Sequence, residues 1–319
     1  MPDSAFPSPA SQKAAPEDAP SPAAQEIRDR GSFLFPFEQY STDDKDGSFY
    51  VSPHWHQEVE ILCILRGCVR MVIDSHVFFP GPGSVLFINP KEIHHLTSQG
   101  PGLQYHAFVF PLQLLSFGHE DYCQQTWILP LLQGRSAFPR LLKPDHPCQP
   151  EATEILIRLS QIRQGEQAGY QLMVKALLYE LLACLVQKDA LLSAPPAPTA
   201  AQAKKMESLR QMLSYMEEHL QERITLDEIS ARFYMTPNYF CRFFKDNLGK
   251  TPMSCLNGLR LEKACRLLAD TDMQILEICL CCGFNNLSYF VRLFHRQMGM
   301  SPSRYRAEAA RQRNTCEYR

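Results

Sequence analysis

The sequence predicts an α+β protein of two domains: an N-terminal β-barrel followed by two helices, and a C-terminal all-α domain with two helix-turn-helix units. Short strand-like stretches between residues 51 and 110 predict the barrel. A motif that recurs after 50 positions, with Tyr239 and Phe240 reappearing as Tyr289 and Phe290, predicts the paired helical units. A Pro- and Ala-rich segment separates the two regions.

Composition sets the predicted boundaries. Residues 1–25 are rich in Pro, Ala and Ser without the basic start and apolar run of a secretion signal, so we expect a disordered tail. We then expect the barrel at 26–148, a helical dimerisation or packing segment at 149–191, a linker at 192–205 and the helical domain at 206–319. No stretch is expected to be long enough to cross a membrane. Twelve cysteines scattered over both halves favour reduced thiols over a disulfide framework.

Charge differs between the halves of the chain. Residues 1–203 carry 14 Lys and Arg against 21 Asp and Glu, and residues 204–319 carry 18 against 13, so the net charges are −7 and +5. A positive domain suits contact with phosphate groups, although an ordinary solvated surface has the same balance. Charge therefore permits nucleic-acid binding by the C-terminal half without establishing it.

The N-terminal strands are predicted at residues 60–65, 69–73, 84–88 and 104–110, separated by Gly, Pro and Asn. Such frequent turns favour a small antiparallel barrel or jelly roll. Helices are expected next, at 151–164 and 167–190. The second has an apolar stripe that either packs against the barrel or forms a dimer interface, because both have the same periodicity: Val174, Leu177, Leu178, Leu181, Leu182 and Leu185.

Each copy of the repeat predicts a helix-turn-helix. In the first copy a short helix at 226–233 precedes Thr236, a predicted N-cap, and Pro237 at the first helical position, while Gly249 is placed to end the second helix. The second copy has its short helix at 276–282 and a turn at Gly283. We expect Tyr239, Phe240, Phe244 and their counterparts to be buried.

A helix at 252–269 joins the two copies, and a further one at 208–220 opens the domain. At 1.5 Å per residue the joining helix is about 26 Å long. Neighbouring major-groove surfaces on one side of a duplex lie about 34 Å apart, so the spacing suits two recognition helices in successive grooves. Cys279 and Cys282 have a metal-binding spacing but lack a second ligand pair, and we expect them to be core thiols.

Residues 208–306 resemble the DNA-binding domain of AraC-type bacterial transcription regulators. The resemblance depends on the repeated Tyr-Phe-x-Arg-x-Phe motif, on Arg260-Leu-x-x-Ala264 and on the run from Gly299 to Arg306. It implies that arginine, asparagine and apolar side chains on the outer face of each second helix contact base edges. The implied DNA-contacting residues are Asn238, Cys241, Arg242 and Lys245 in the first unit, and Leu287, Ser288, Val291 and Arg292 in the second.

The barrel region contains H-x-H-x3-E-x6-G from His54 to Gly67, and later Pro-Gly-x4-Ile-Asn-Pro-x3-His ending at His94. These motifs resemble the two signatures of the cupin barrel, so the barrel is expected to be cupin-like. In metal-binding cupins the matching residues are the ligands, and imidazoles with a carboxylate suit a first-row divalent metal: His54, His56, Glu60 and His94. The alternative is an effector pocket without metal, with Trp55, His95 and Tyr105 as neighbours.

The two resemblances together imply a cytoplasmic bacterial transcription regulator that is not an enzyme. Its expected partners are double-stranded DNA, a small-molecule effector such as a sugar or related metabolite, a second copy in a homodimer, and RNA polymerase. No membrane partner and no obligatory cofactor are expected, with a divalent metal as the open alternative. Two other hypotheses remain: a metal-dependent cupin oxygenase or isomerase fused to a DNA-binding domain, and a regulator whose N-terminal half only mediates assembly.

Overall fold

The structure is a computed structural model that describes residues 34–45, 47, 49–74, 76–162, 168–193 and 199–317. The tail predicted at 1–25 and residues 194–198 of the predicted linker lie outside this part of the chain. The described residues form the predicted α+β arrangement of a β-rich N-terminal domain and a helical C-terminal domain.

Two antiparallel sheets form the barrel. The first has the strand order β1-β8-β3-β6-β10 and the second the order β2-β7-β4-β5. Their strands are β1 (Glu38–Asp44), β2 (Tyr50–His54), β3 (Val59–Arg66), β4 (Val69–Ile73), β5 (His76–Phe78), β6 (Val85–Ile88), β7 (His94–Ser98) and β8 (Leu103–Phe110), followed, after a short helix α1 (Leu129–Leu132) and β9 (Ser136–Ala137), by β10 (Leu141–Leu142).

The alternation of side chains along β3 separates two apolar cores. Leu62 and Ile64 point between the sheets, where buried side chains from β3, β4, β6, β7 and β8 pack together. Ile61 and Cys63 point to the opposite face, which the following helices cover. The space between the sheets is thus filled by apolar side chains along most of its length.

Two helices cover the outer face of the five-stranded sheet: α2 (Gln149–Ser160) and α3 (Tyr170–Gln187). All six residues of the predicted α3 stripe are buried in the same core as the sheet. The stripe is therefore a packing surface, and a dimer interface on α3 would need its other face. After α3 comes β11 (Leu192–Ser193), which pairs with β9.

The expectation that no stretch is long enough to cross a membrane was wrong. Helix α3 is long and apolar enough to cross a membrane by length and composition, with a mean hydropathy of 1.2 over 18 residues. Its buried residues, which include Val174, Leu178 and Leu185, pack against α2 and the barrel. A core helix of a globular domain shows the same burial.

The C-terminal domain contains seven helices within the described residues: α4 (Ala200–Glu218), α5 (Leu226–Arg232), α6 (Pro237–Leu248), α7 (Pro252–Asp270), α8 (Ile275–Cys281), α9 (Leu287–Met298) and α10 (Pro302–Glu317). Helix α4 begins at Ala200 and not at the predicted Ser208, because Thr199 and Gln202 form a capping box there. Residues 200–205 are thus helical, and the predicted linker is shorter than 192–205.

Helix α7 belongs to two cores. Its first half contributes Cys255, Leu256 and Leu259 to a core shared with α4, α5 and α6. Its second half contributes Leu261, Ala264 and Leu268 to a core shared with α8, α9 and α10. A single helix packed into both units fixes α6 and α9 relative to each other.

Buried Arg260 strengthens this connection. Its Nε donates to the Leu220 carbonyl oxygen at 2.7 Å, and its Nη2 donates to the Glu222 carbonyl oxygen at 2.7 Å. The guanidinium also lies 5.7 Å from the ring centroid of Phe284, in the turn of the second unit. One side chain thus joins the end of α4, the middle of α7 and the second helix-turn-helix.

Candidate functional site

The first candidate site is the outer face of α6. Thr236 accepts a hydrogen bond from the Tyr239 amide at the start of this helix, and Gly249 ends it with φ of 70°, as predicted. Phe240, Phe244 and Leu248 are buried. Asn238, Arg242 and Lys245 are exposed and Cys241 is half-buried, so the predicted DNA-contacting residues lie on the solvent-facing side.

Helix α9 repeats this arrangement with a less polar outer face. Asn286 caps it by accepting a hydrogen bond from the Tyr289 amide at 2.8 Å. Leu287, Ser288 and Arg292 are exposed, whereas Val291 is half-buried and packs against the core of the second unit. Val291 is therefore a core-packing residue in part and offers less of its surface to a partner than the predicted set implies.

The prediction that Tyr239 and Tyr289 are core residues was wrong. Their side chains are 46% and 40% exposed. The Arg242 guanidinium lies 5.7 Å from the Tyr239 ring centroid, and Arg292 lies 5.8 Å from that of Tyr289. Each tyrosine thus supports the arginine one turn away by a cation–π contact, which restricts the arginine to the outer face of the helix.

The cysteine pair at the second unit is structural. Cys279 and Cys282 are both buried among apolar side chains of the second core, as predicted. Burial raises the pKa of both thiols, that of Cys282 to about 11, so they stay protonated and are poor metal ligands. Among the described residues, the group with metal-ligand geometry lies instead in the barrel.

That second candidate site lies at one end of the barrel. His54 on β2 and His94 on β7 are register partners, so the pairing of the two strands places both imidazoles together. Glu60 has the same parity on β3 as Leu62 and Ile64 and comes from the opposite sheet. The structure brings the predicted residues together, with one ligand atom of each within 4.8 Å of the others: His54, His56, Glu60 and His94.

The three imidazoles share one orientation. Nδ1 of His54 donates to the Ser52 carbonyl oxygen at 2.9 Å, and Nδ1 of His94 donates to the Glu92 carbonyl oxygen at 3.0 Å. In the same way, Nδ1 of His56 donates to the Glu58 carbonyl oxygen at 3.1 Å. The backbone carbonyls thus place a proton on Nδ1 of each ring, and Nε2 is the second nitrogen of the ring.

Glu60 connects the histidines. Its Oε2 lies 3.2 Å from Nε2 of His56 and 3.1 Å from Nε2 of His94. Burial would raise the pKa of this carboxyl, but the two histidine contacts outweigh that effect and hold the pKa well below its usual value. Glu60 is therefore a carboxylate, and the group as a whole has the donors for a divalent cation or for a polar ligand.

The three residues expected beside this cluster, Trp55, His95 and Tyr105, lie in three different environments. Tyr105 is buried in the core between the sheets. His95 faces away from the cluster, into a cleft that Arg70 and Asp246 also line, and burial with nearby cations lowers its pKa to about 3. Trp55 leaves the barrel and packs against the core of the first helix-turn-helix unit.

A salt-bridge network that the sequence does not indicate supports the loop before His94. Arg140 donates to Asp74 at 2.9 Å and to Glu92 at 2.7 Å. Glu92 also accepts from the Asn89 amide, and Asp74 accepts from the Ile93 amide. The partners are far apart in sequence and show no motif, so no local pattern indicates them.

The same end of the barrel contacts the C-terminal domain. The Ser52 amide donates to Glu262 on α7 at 2.6 Å, and the Trp55 indole N–H lies 3.2 Å from the Ser214 hydroxyl on α4. Arg210 on α4 donates to the Lys91 carbonyl oxygen at 2.8 Å. Ile93 is fully enclosed by the core of the first unit.

Known proteins match both domains. The family described as "AraC-like ligand binding domain" matches residues 38–182, and that described as "Helix-turn-helix domain" matches residues 229–308. The uncharacterized HTH-type transcriptional regulator YdeC of Bacillus subtilis is 26% identical over 259 residues, which are 81% of this chain and 86% of YdeC.

Two further relatives extend over both domains. The HTH-type transcriptional activator RhaS of Escherichia fergusonii is 28% identical, over 79% of this chain and 86% of RhaS. The arabinose operon regulatory protein of Salmonella typhimurium is 27% identical, over 73% of this chain and 78% of its own length. Since the two matched regions fall on the barrel and on the helical domain, and the relatives match across both, the chain belongs to the AraC-type transcription regulators.

Proposed function

We propose that this regulator reads a specific duplex sequence with α6 and α9 while its barrel responds to a small ligand. The observation that carries the proposal is the sharing of α7 between two cores, which holds two arginine-bearing outer faces on one rigid unit. The relatives that match along the chain are named as regulators. Regulation is accordingly favoured over a cupin oxygenase or isomerase, and we propose no enzymatic activity.

The contacts of the two helices differ in this proposal. Arg242 and Asn238 on α6 bond to guanine and adenine edges, while Lys245 contacts phosphate. On α9, Arg292 makes the polar base contact and Leu287 meets a thymine methyl group. Because Val291 is partly enclosed and Ser288 is small, α9 contributes more to positioning than to base readout.

Further partners follow from the family. A sugar or related metabolite is the proposed class of effector, supported by the relative named for an arabinose operon. A homodimer is proposed through the outer face of α3, where Leu172 and Met173 are exposed opposite the buried stripe. RNA polymerase is the proposed partner at the promoter, and the bacterial cytoplasm is the proposed location.

The decisive experiment is selection and footprinting with the full chain. Random duplexes retained by the protein should yield a recurring sequence, protected over two neighbouring major-groove segments about one helical turn apart. Binding should weaken steeply as salt rises, since phosphate contacts release counterions. Retention without any enriched sequence would contradict specific readout.

A further inference from the structure

We propose that the barrel of this regulator binds one divalent transition-metal ion, and that the ion stabilises the end of the barrel on which the DNA-binding domain rests. The ligands are Nε2 of three histidines and a carboxylate oxygen: His54, His56, His94 and Glu60. Metal binding stands independently of the proposed function, whereas its regulatory consequence rests on that function.

Distances within the cluster fit an ion of this class. Metal bonds of about 2.0–2.1 Å to nitrogen and oxygen place the ligand atoms of a tetrahedral site about 3.3 Å apart, and those of more highly coordinated sites about 3–4 Å apart. Oε2 of Glu60 lies 3.2 and 3.1 Å from Nε2 of His56 and His94. The ring centroids of His54 and His94 are 4.1 Å apart. Small movements of the side chains would therefore complete a coordination shell.

The hydrogen bonds outside the cluster match those of a metal site. Each of the three rings donates Nδ1–H to the carbonyl of a residue two positions away, so Nε2 is the nitrogen through which each ring would bind a metal. Ligating histidines use such bonds to fix ring orientation.

The charge and chemistry of the cluster also suit a cation. Oε2 of Glu60 lies 3.2 Å from Nε2 of His56 and 3.1 Å from Nε2 of His94, so a carboxylate oxygen and two imidazole nitrogens converge on one point. A divalent ion placed there would be bound by all of these atoms at once.

The ligand set narrows the choice of metal. Three imidazoles and one carboxylate suit Zn²⁺, Fe²⁺, Mn²⁺, Co²⁺ or Ni²⁺, whereas Mg²⁺ and Ca²⁺ prefer all-oxygen shells. His56 and His94 are buried, and Glu60 keeps a small exposed fraction. The probe for an experiment is therefore a first-row divalent ion, with Mg²⁺ as the contrasting hard ion.

Contacts with the DNA-binding domain begin within a few residues of each histidine. Ser52, bonded to Glu262, lies two positions before His54, and Trp55 lies between His54 and His56. Lys91 and Ile93, which contact α4 and the first core, precede His94. An ion that fixes both segments would favour the docked arrangement of the domains over others, which is the differential interaction that regulation needs.

Metal binding is tested by calorimetry and elemental analysis of the full chain after chelator treatment. We expect one Zn²⁺ or Mn²⁺ per chain and no binding of Mg²⁺. Glu60→Gln keeps the size of the side chain but removes the charge, and we expect at least tenfold weaker binding. His106→Asn is the matched control, because it removes a histidine of β8 that bonds to Ser41 outside the cluster.

Thermal melting distinguishes a loss of metal binding from a loss of folding in the variants. The wild-type melting temperature should rise with the ion and fall again with chelator, and His106→Asn should respond in the same way. A wild-type chain that takes up well below one ion, or a Glu60→Gln chain that binds as tightly as wild type, would overturn the metal site.

The regulatory consequence has a separate measurement. Affinity for the selected duplex should change at least fivefold between the metal-free and metal-loaded full chain, and the Glu60→Gln chain should lose this response. Specific DNA binding without metal uptake would refute this inference and leave the proposed function intact. Metal uptake without any specific DNA binding would refute the proposed function and leave the metal site intact. Equal DNA affinity of the metal-free and metal-loaded chains would refute only the coupling between metal and DNA binding.

Discussion

Arg242 is the residue for which the proposed function predicts the largest single effect on DNA recognition. It is exposed on α6 and supported by the Tyr239 ring, so replacing it should not disturb the core. Arg242→Ala should weaken binding to the selected duplex by about 1–3 kcal/mol, because a bidentate contact to guanine is lost. Fluorescence anisotropy measures the change, and circular dichroism should report the same helix content.

Arg135→Ala is the control for Arg242, since it removes the same charge from an exposed loop of the N-terminal domain. Its affinity for the duplex should equal that of wild type. If Arg242→Ala binds as tightly as this control, α6 does not read bases through that position.

At the residue scale, the sequence predicted the burial of residues in the middle of a helix face better than that of residues at its border. Helical spacing correctly placed Phe240 and Phe244 inside and Arg242 outside. Tyr239 lies at the border between the two faces, where helical periodicity does not decide burial, and its ring is half exposed beside the Arg242 guanidinium. Val291 is a border residue of the same kind, and its packing against the core of the second unit determines how much of it is covered.

Two helix-associated glycines provide a prediction at the scale of elements. Gly249 and Gly283 both have positive φ, of 70° and 79°, but a Cβ on Gly249 meets nothing within 4 Å. A Cβ on Gly283 would lie 2.2 Å from the Leu220 carbonyl oxygen, which already accepts from Arg260. Gly249→Ala should cost about 1–2 kcal/mol for its conformation alone, and Gly283→Ala should cost clearly more.

Urea unfolding of the two variants followed by helical circular dichroism measures the difference, provided the slopes of the transitions agree. Equal losses at the two positions would show that the turn of the second unit adapts, and that close packing against the end of α4 does not determine the requirement for glycine.

Elements with strong local signals were predicted well. Thr236, Pro237 and Gly249 specify both ends of α6, and Pro252 begins α7, so these helices match expectation. The start of α4 was missed because Pro and Ala nearby suggested a linker, whereas the Thr199–Gln202 capping box begins the helix. Strands β2 and β7 lack a clear apolar alternation, since polar side chains occupy their inward positions near the cluster.

For the whole molecule, the motif spacing anticipated the cluster but not its position against the second domain. H-x-H-x3-E and the later histidine are local patterns, and the pairing of β2 with β7 brings them together. Contacts such as Ser52 with Glu262 join residues 210 positions apart and have no periodicity or motif. Polar residues such as Ser52 and Glu262 also occur on exposed surfaces, so the sequence does not show that these two residues are in contact.

The Ser52–Glu262 bond therefore offers a test of the domain arrangement itself. Ser52 is fully buried, so Glu262→Ala leaves its amide without this acceptor, at a cost of about 1–3 kcal/mol to the docked state. Hydrogen exchange at the Ser52 amide should accelerate roughly tenfold, since 1.4 kcal/mol corresponds to that factor. Amides of α9, which lie in a separate core, should keep their protection. Arg266→Ala, exposed on the same helix, should leave the Ser52 amide unchanged. If Glu262→Ala also leaves it unchanged, the domains do not separate along β2, and a signal from the barrel to the recognition helices must follow another route.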